Sequence, residues 1–187
     1  MALTVLDPNT ALIIVDLQKG IIGLPAIHPI EHIIERAASL AAGFRERGLP
    51  VVLVNVAGAA PGRTEQPGRT AAFPEGRTDL IPELGRQADD IMVTKYSWGA
   101  FATTDLEVRL KALGVTQVVV TGVATGTGVE ATARQAYEGG FNVTLAIDAM
   151  TDTRVHAHEY SIGNVFPRLG ETGSAQDVLD LLAKRGS

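Results

Sequence analysis

An aspartate, a lysine and a glycine-rich segment each stand directly after a short apolar run in this sequence. Asp16 follows Ala11–Val15 (ALIIV), Lys95 follows Ile91–Thr94, and Gly122–Gly128 (GVATGTG) follows Gln117–Thr121 (QVVVT). A carboxylate can carry a proton, and an ammonium can hold or orient an anion. A glycine-rich turn opening a helix can offer backbone N–H groups to developing negative charge. Each also has a plain structural reading. Taken alone, Asp16 fits a helix cap, Lys95 a solvated strand end, and the two together a simple ion pair. Tyr96, Trp98 and Phe101 follow Lys95, and Trp98 is the only tryptophan in the chain. Aromatics beside charged strand ends suit a small pocket, with Gln18, Trp98, Phe101 and Thr125 as candidate lining residues. Core packing is an equal alternative for Phe101.

Other chemistries find less support. The chain has no cysteine, which excludes disulfides, thiolate metal sites and a cysteine nucleophile. His28 and His32 have helical spacing, but Pro29 separates them and no acidic ligand stands at a matching strand end, so no metal is expected. His156 and His158 fall in a polar stretch and read as solvated. Arg63, Arg69 and Arg77 could receive an anionic substrate or simply be solvated loop residues. Gly126-Thr-Gly128-Val-Glu-Ala131, with Asp148 downstream, matches a dinucleotide fingerprint. Its first glycine comes several residues after the apolar run, however, and the unit lies past mid-chain rather than at the first strand–helix turn. A nicotinamide-dependent oxidoreductase is therefore a minor reading, and no cofactor is expected.

The elements that must position these groups are legible as an alternation. Pro50–Val56 and Asn142–Ile147 join the runs above as β-branched, continuously apolar segments of the kind found in parallel sheets covered on both faces. Between them, helical periodicity runs over Ile30–Arg47, Thr104–Leu113 and Val129–Glu138, with Gly48, Gly114 and Gly139 as stops. Ser174 with Asp177 forms a variant capping box opening a last helix to about Lys184. Strand–helix repetition predicts right-handed βαβ units in a doubly wound α/β (Rossmann-like) fold, one domain over residues 1–187. Ala57–Pro82, rich in Gly, Pro, Arg and Thr, has no period and reads as a functional or mobile loop.

A net charge of −5 with no Lys/Arg run argues against nucleic acid and against a polybasic membrane contact. No apolar run approaches the roughly 20 residues that span a bilayer, and the N-terminus lacks a secretory pattern, so a cytoplasmic protein is expected.

In order along the chain, ALIIVDLQKGI, VTKYSWGAF, TGVATGTGVEATARQAYEGGFNVTLAIDAMTD and FPRLGETGSAQDVL resemble the isochorismatase-like, or cysteine hydrolase, superfamily. The likeness runs from about Ala11 to Leu182. It implies a six-stranded parallel sheet, a small-molecule substrate and commonly a homo-oligomer. The family's catalytic aspartate falls on Asp16, its lysine on Lys95, and its cysteine on Gly128. A cis peptide would fall at Val123-Ala124, and the amides of Ala124 and Gly128 would form an anion hole. Without a thiolate, the amidase route of the family is closed, and the metal motif of nicotinamidases is absent from 57–70. The isochorismatase branch cleaves a vinyl ether with an aspartic acid and water, and tolerates a small residue at position 128. The alternative is a non-catalytic descendant that keeps the pocket for binding or scaffolding.

Overall fold

The computed structural model describes residues 3–65 and 73–184; Arg69 lies outside them. Six parallel strands form one sheet: β1 (Thr10–Val15), β2 (Val51–Val56), β3 (Ile91–Lys95), β4 (Gln117–Val123), β5 (Asn142–Thr151) and β6 (Glu171–Gly173). Their spatial order is β3-β2-β1-β4-β5-β6, so the chain winds outward from β1 in one direction and then returns to its other side. The strand order reverses between β1 and β4, where open α/β sheets form their ligand crevice beyond the carboxyl ends.

The helices are α1 (Lys19–Ile22), α2 (Ile30–Arg45), α3 (Leu106–Ala112), α4 (Glu130–Glu138), α5 (Val155–Tyr160) and α6 (Ala175–Ala183). Strand alternation sorts the core into two layers. Ile13, Val15, Val54 and Val120 face Leu106 and Leu110 of α3 and Ala133 and Ala136 of α4. Leu12, Ile14, Leu53 and Val119 face Ala37, Leu40 and Phe44 of α2 and Val178 and Leu182 of α6. Burial on both faces is why these strands read as unbroken apolar runs. The capping box is present: Ser174 Oγ accepts from Asp177 N–H, and the Asp177 carboxylate accepts from Ser174 N–H. Thr104 Oγ1 accepts from Leu106 N–H at 3.2 Å, so the expected cap stands just before the shortened α3.

Several features depart from the sequence reading: β5 runs on past Ile147 to Thr151, α2 stops at Arg45, and α1 and α5 lie where no helix is expected. β6 is only three residues long, Glu-Thr-Gly, and carries no apolar pattern. The third helix begins earlier than Val129, through a wide π-type turn over Thr125–Val129.

At Gly122 the backbone of β4 leaves no room for a side chain against β1. Gly122 pairs with Val15 at φ +116°, and a Cβ there would collide with the Val15 carbonyl oxygen. Gly122→Ala is expected to cost about 3 kcal/mol or more, through left-handed strain and displaced backbone. Gly163→Ala, whose Cβ would meet nothing within 4 Å, should stay within about 1 kcal/mol. Thermal or urea unfolding of the two variants compares them; equal stabilities would remove the constraint placed on Gly122.

Candidate active site

β1 ends at Val15, and the next residue leaves the strand. Asp16 N–H still donates to Val54 O at 2.9 Å, but its φ of +53° is left-handed, the only such non-glycine residue among those described. Alternation would continue Asp16 onto the Leu12–Ile14 face, whereas Lys95 continues the Ile91–Val93 face. The left-handed backbone breaks that alternation and brings the carboxylate to the lysine. Two strand spacings, roughly 10 Å, separate β1 from β3, a gap that the long lysine stem bridges past β2.

Lys95 Nζ donates to Asp16 Oδ2 at 2.8 Å and to Ser97 O at 3.3 Å. Lys95 is 1% and Asp16 5% exposed, so the ion pair is buried. Asp16 Oδ1 is buried without a hydrogen-bond partner among the described residues. Burial pushes the Asp16 carboxyl up to about 6, against the lowering effect of the Lys95 charge and its hydrogen bond. Desolvation thus outweighs the adjacent cation, which leaves a carboxyl able to hold or release a proton near neutral pH.

The turn after β4 closes the site. The peptide Val123-Ala124 is cis. Ala124 O accepts from both Thr127 N–H and Val129 N–H at 3.1 Å, and Gly128 O accepts from Thr132 Oγ1 at 2.7 Å. A Cβ on Gly128 would lie 3.2 Å from Asp16 Oδ2 and 3.1 Å from Val15 Cγ1. Position 128 therefore faces the carboxylate, and any side chain there would approach it. Asp16, Lys95 and Gly128 are brought together from β1, β3 and the β4 turn.

The pocket residues expected from sequence mostly go elsewhere. Gln18 is fully buried and its amide is spent on the scaffold: Oε1 accepts from Val56 N–H, while Nε2 donates to Val56 O and Arg77 O. It staples the end of β2 to the segment before Leu80 rather than lining a pocket. Phe101 packs on Phe141 in the core at a ring distance of 5.9 Å, which is the packing alternative. Thr125 is buried with its hydroxyl 2.8 Å from His158 Nδ1. Trp98, 67% exposed, stands at the surface three residues beyond Lys95.

Among the other candidates, His158 is buried rather than solvated, because α5 folds back onto the Thr125 turn. His28 Nδ1 meets Thr151 Oγ1, not His32, and no cluster of three metal-ligating side chains occurs among the described residues. Arg77 reaches Gly20 O at 3.4 Å. Asp148, the acid the dinucleotide reading requires, pairs with Arg36 and accepts from Ala175 N–H, which leaves that reading without its ribose ligand. Sequence reasoning missed Arg154. Its Nη2 donates to Thr127 Oγ1 at 3.2 Å and its Nε lies 3.5 Å from the buried Asp152. The available signal was Asp152-x-Arg154 directly after the β5 run. Grooves of about 350 Å³ between α2 and α6, and about 570 Å³ beside Gln117 and Asn142, are lined by none of Asp16, Lys95 and Gly128.

Both effects of Lys95 depress the Asp16 pKa, so Lys95→Met should move it upward from about 6, by roughly one unit or more. A carboxyl-carbon NMR titration of Asp16 reads this directly. A fall on removing the lysine would contradict the balance of burial and charge described here.

Comparison with known proteins agrees with this architecture. The profile of the isochorismatase domain matches residues 10–177. The uncharacterized isochorismatase family protein YecD of Escherichia coli O157:H7 is 38% identical over 183 residues, which cover 93% of this chain and 96% of YecD. The structure of an isochorismatase family protein from Burkholderia thailandensis, also 38% identical, superposes with a TM-score of 0.91 over 96% of this chain and 98% of its own. Maleamate amidohydrolase of Pseudomonas putida is 26% identical over 183 residues, 92% of this chain and 86% of its length. With a six-stranded parallel sheet in the same arrangement and a profile match over most of its length, the chain belongs to the isochorismatase family of hydrolases.

Proposed function

We propose that this protein hydrolyses a small, carboxylate-bearing molecule by acid catalysis at Asp16, with Lys95 as its electrostatic partner and no covalent intermediate. The observation that carries the reading is the Asp16 carboxyl itself: buried, with one unpartnered oxygen, a pKa raised to about 6, and a glycine opposite. A carboxylic acid poised near the working pH is a proton donor. A vinyl ether suits it. Protonation of the enol-ether carbon gives an oxocarbenium ion, water adds, and the hemiketal collapses to a keto acid and an alcohol.

Amide hydrolysis through a thiolate is unavailable, since the chain has no cysteine. The amides of Ala124 and Gly128 would receive the substrate's negative charge at the head of the turn leading into α4. Arg154, tethered to Asp152 and Thr127, supplies a cation on the rim of that turn and supports an anionic substrate.

The test is pyruvate release from isochorismate. Wild-type protein should turn over, and Asp16→Asn should lose on the order of a hundredfold or more in kcat. Because the acid form is required, kcat/KM should fall as pH rises through about 6. Full activity in Asp16→Asn would end the role given to Asp16. Saturable binding of small acids without turnover would favour a binding protein derived from the family. Gly128→Cys, which places a thiol beside Asp16, should gain amidase activity if the rest of a cysteine-hydrolase site is intact.

A further inference from the structure

The turn over Thr125–Val129 is held from outside the catalytic pair, by groups at and beyond the end of β5. Asp152 is fully buried; its Oδ2 accepts from Gly126 N–H at 2.8 Å and its Oδ1 from Arg154 N–H at 3.0 Å. One residue earlier in the turn, the Thr125 hydroxyl is 2.8 Å from His158 Nδ1. The His158 ring in turn meets His28 edge-on at 4.8 Å, and His28 Nδ1 is 3.0 Å from Thr151 Oγ1. Besides the exposed Arg154 contact to Thr127, the turn thus has two buried side-chain anchors, one carboxylate and one imidazole, and Gly128 lies three residues past Thr125, the imidazole's partner.

We propose that His158 is a positioning residue: through Thr125 it fixes the turn that presents Ala124 and Gly128 to Asp16. An imidazole suits the task for as long as it is uncharged, because one nitrogen can then serve a hydroxyl whose other partner is the protein interior. Burial lowers the His158 pKa, and His28 lowers it further, against the opposing pull of Asp152 and Glu159. These are the ionisable groups that face it: His28 from the segment before α2, Asp152 from the end of β5, and Glu159 beside it on α5. The turn itself contributes none, its sequence being TGTGV. On α4, Glu130 is occupied by Arg134 and Ser161. At neutral pH the ring is therefore uncharged and the anchor is made. Protonation places a charge in this buried contact and leaves Nδ1 only the donor's role toward the Thr125 hydroxyl, which loosens the turn as pH falls through the lowered pKa. The consequence for turnover rests on the acid reading of Asp16; the consequence for the turn does not.

The experiment follows the amides of Gly126, Thr127 and Gly128 by NMR and hydrogen exchange, corrected for intrinsic rates, from pH 7 to 4.5. In the wild type the Gly126 and Thr127 shifts should track the His158 ring with a midpoint below 6.5, while Gly128 also reads the Asp16 carboxyl near 6, and protection should drop about tenfold on the acid side. His158→Asn keeps a polar group where Nδ1 stands but takes up no proton. Its turn should stay protected and its Gly126 and Thr127 amides should lose their response to pH, only the Asp16 titration near 6 remaining at Gly128, with turnover close to wild type at each pH. His158→Leu should lose about tenfold in protection at pH 7 and a similar factor in kcat. Turn amides that ignore the ring titration in the wild type would overturn the proposal, as would wild-type protection in His158→Leu. If His158→Leu does not fold, the wild-type and His158→Asn comparison still decides. If no turnover is found in any variant, the acid reading of Asp16 fails while the amide measurements still judge His158.

Discussion

A lysine and an aspartate buried against each other are the constraint on which this structure turns. Removing two charges from water is costly, and their attraction compensates only when the geometry is close and the remaining polar atoms are satisfied. Here the lysine finds two acceptors, Asp16 Oδ2 and Ser97 O, while one aspartate oxygen finds none. Burial weighs most on the carboxylate, and its pKa rises to about 6 although a cation sits within hydrogen-bond distance. An exposed pair of the same length would hold the carboxyl below its ordinary value. Depth at the end of the sheet gives this pair its character.

Holding the pair there places demands on the backbone around it. The strand order sets β1 at the switch point, with β2 and β3 on one side and β4 on the other. Asp16 must take a left-handed conformation to face Lys95 across β2. Gly122 must lack a side chain so that β4 can lie against Val15, the residue before Asp16. Gln18, two residues on, returns every polar group of its amide to the scaffold and fixes the chain's exit from β1. Of Asp16, Gly122 and Gln18 only Asp16 performs chemistry in the proposed reading; the other two fix where its carboxylate stands.

The sequence made the frame legible and the supports much less so. Five strands were readable because burial on both faces leaves runs of valine and isoleucine with turn residues around them. The sixth, Glu-Thr-Gly at the sheet edge, carries no such run, and only family resemblance implied it. Asp16 and Lys95 stood out because a charge directly after an apolar run is conspicuous. Gln18, expected to line the pocket, is spent on the scaffold instead: a buried amide that satisfies backbone and one that lines a pocket look alike in one dimension. His158 reads as solvated in a polar stretch, since its burial depends on α5 folding back over a turn more than thirty residues earlier in the chain. Long-range contact of that kind leaves no local periodicity to detect.

In the proposed reading the glycine at position 128 decides which way a proton can move. A thiol at that place would stand against the Asp16 carboxylate, and the natural transfer would run from sulfur to aspartate, with the carboxylate as base. Glycine offers no proton and no nucleophile. In the proposed reading Asp16 takes no proton from position 128, and the group it serves is the substrate. Its raised pKa would weaken no neighbouring nucleophile, because none is there, and instead keeps about a tenth of the carboxyl protonated near pH 7. Burial and the missing side chain therefore act in the same direction. In the proposed reading, a scaffold able to support a base for a thiol becomes a scaffold for an acid.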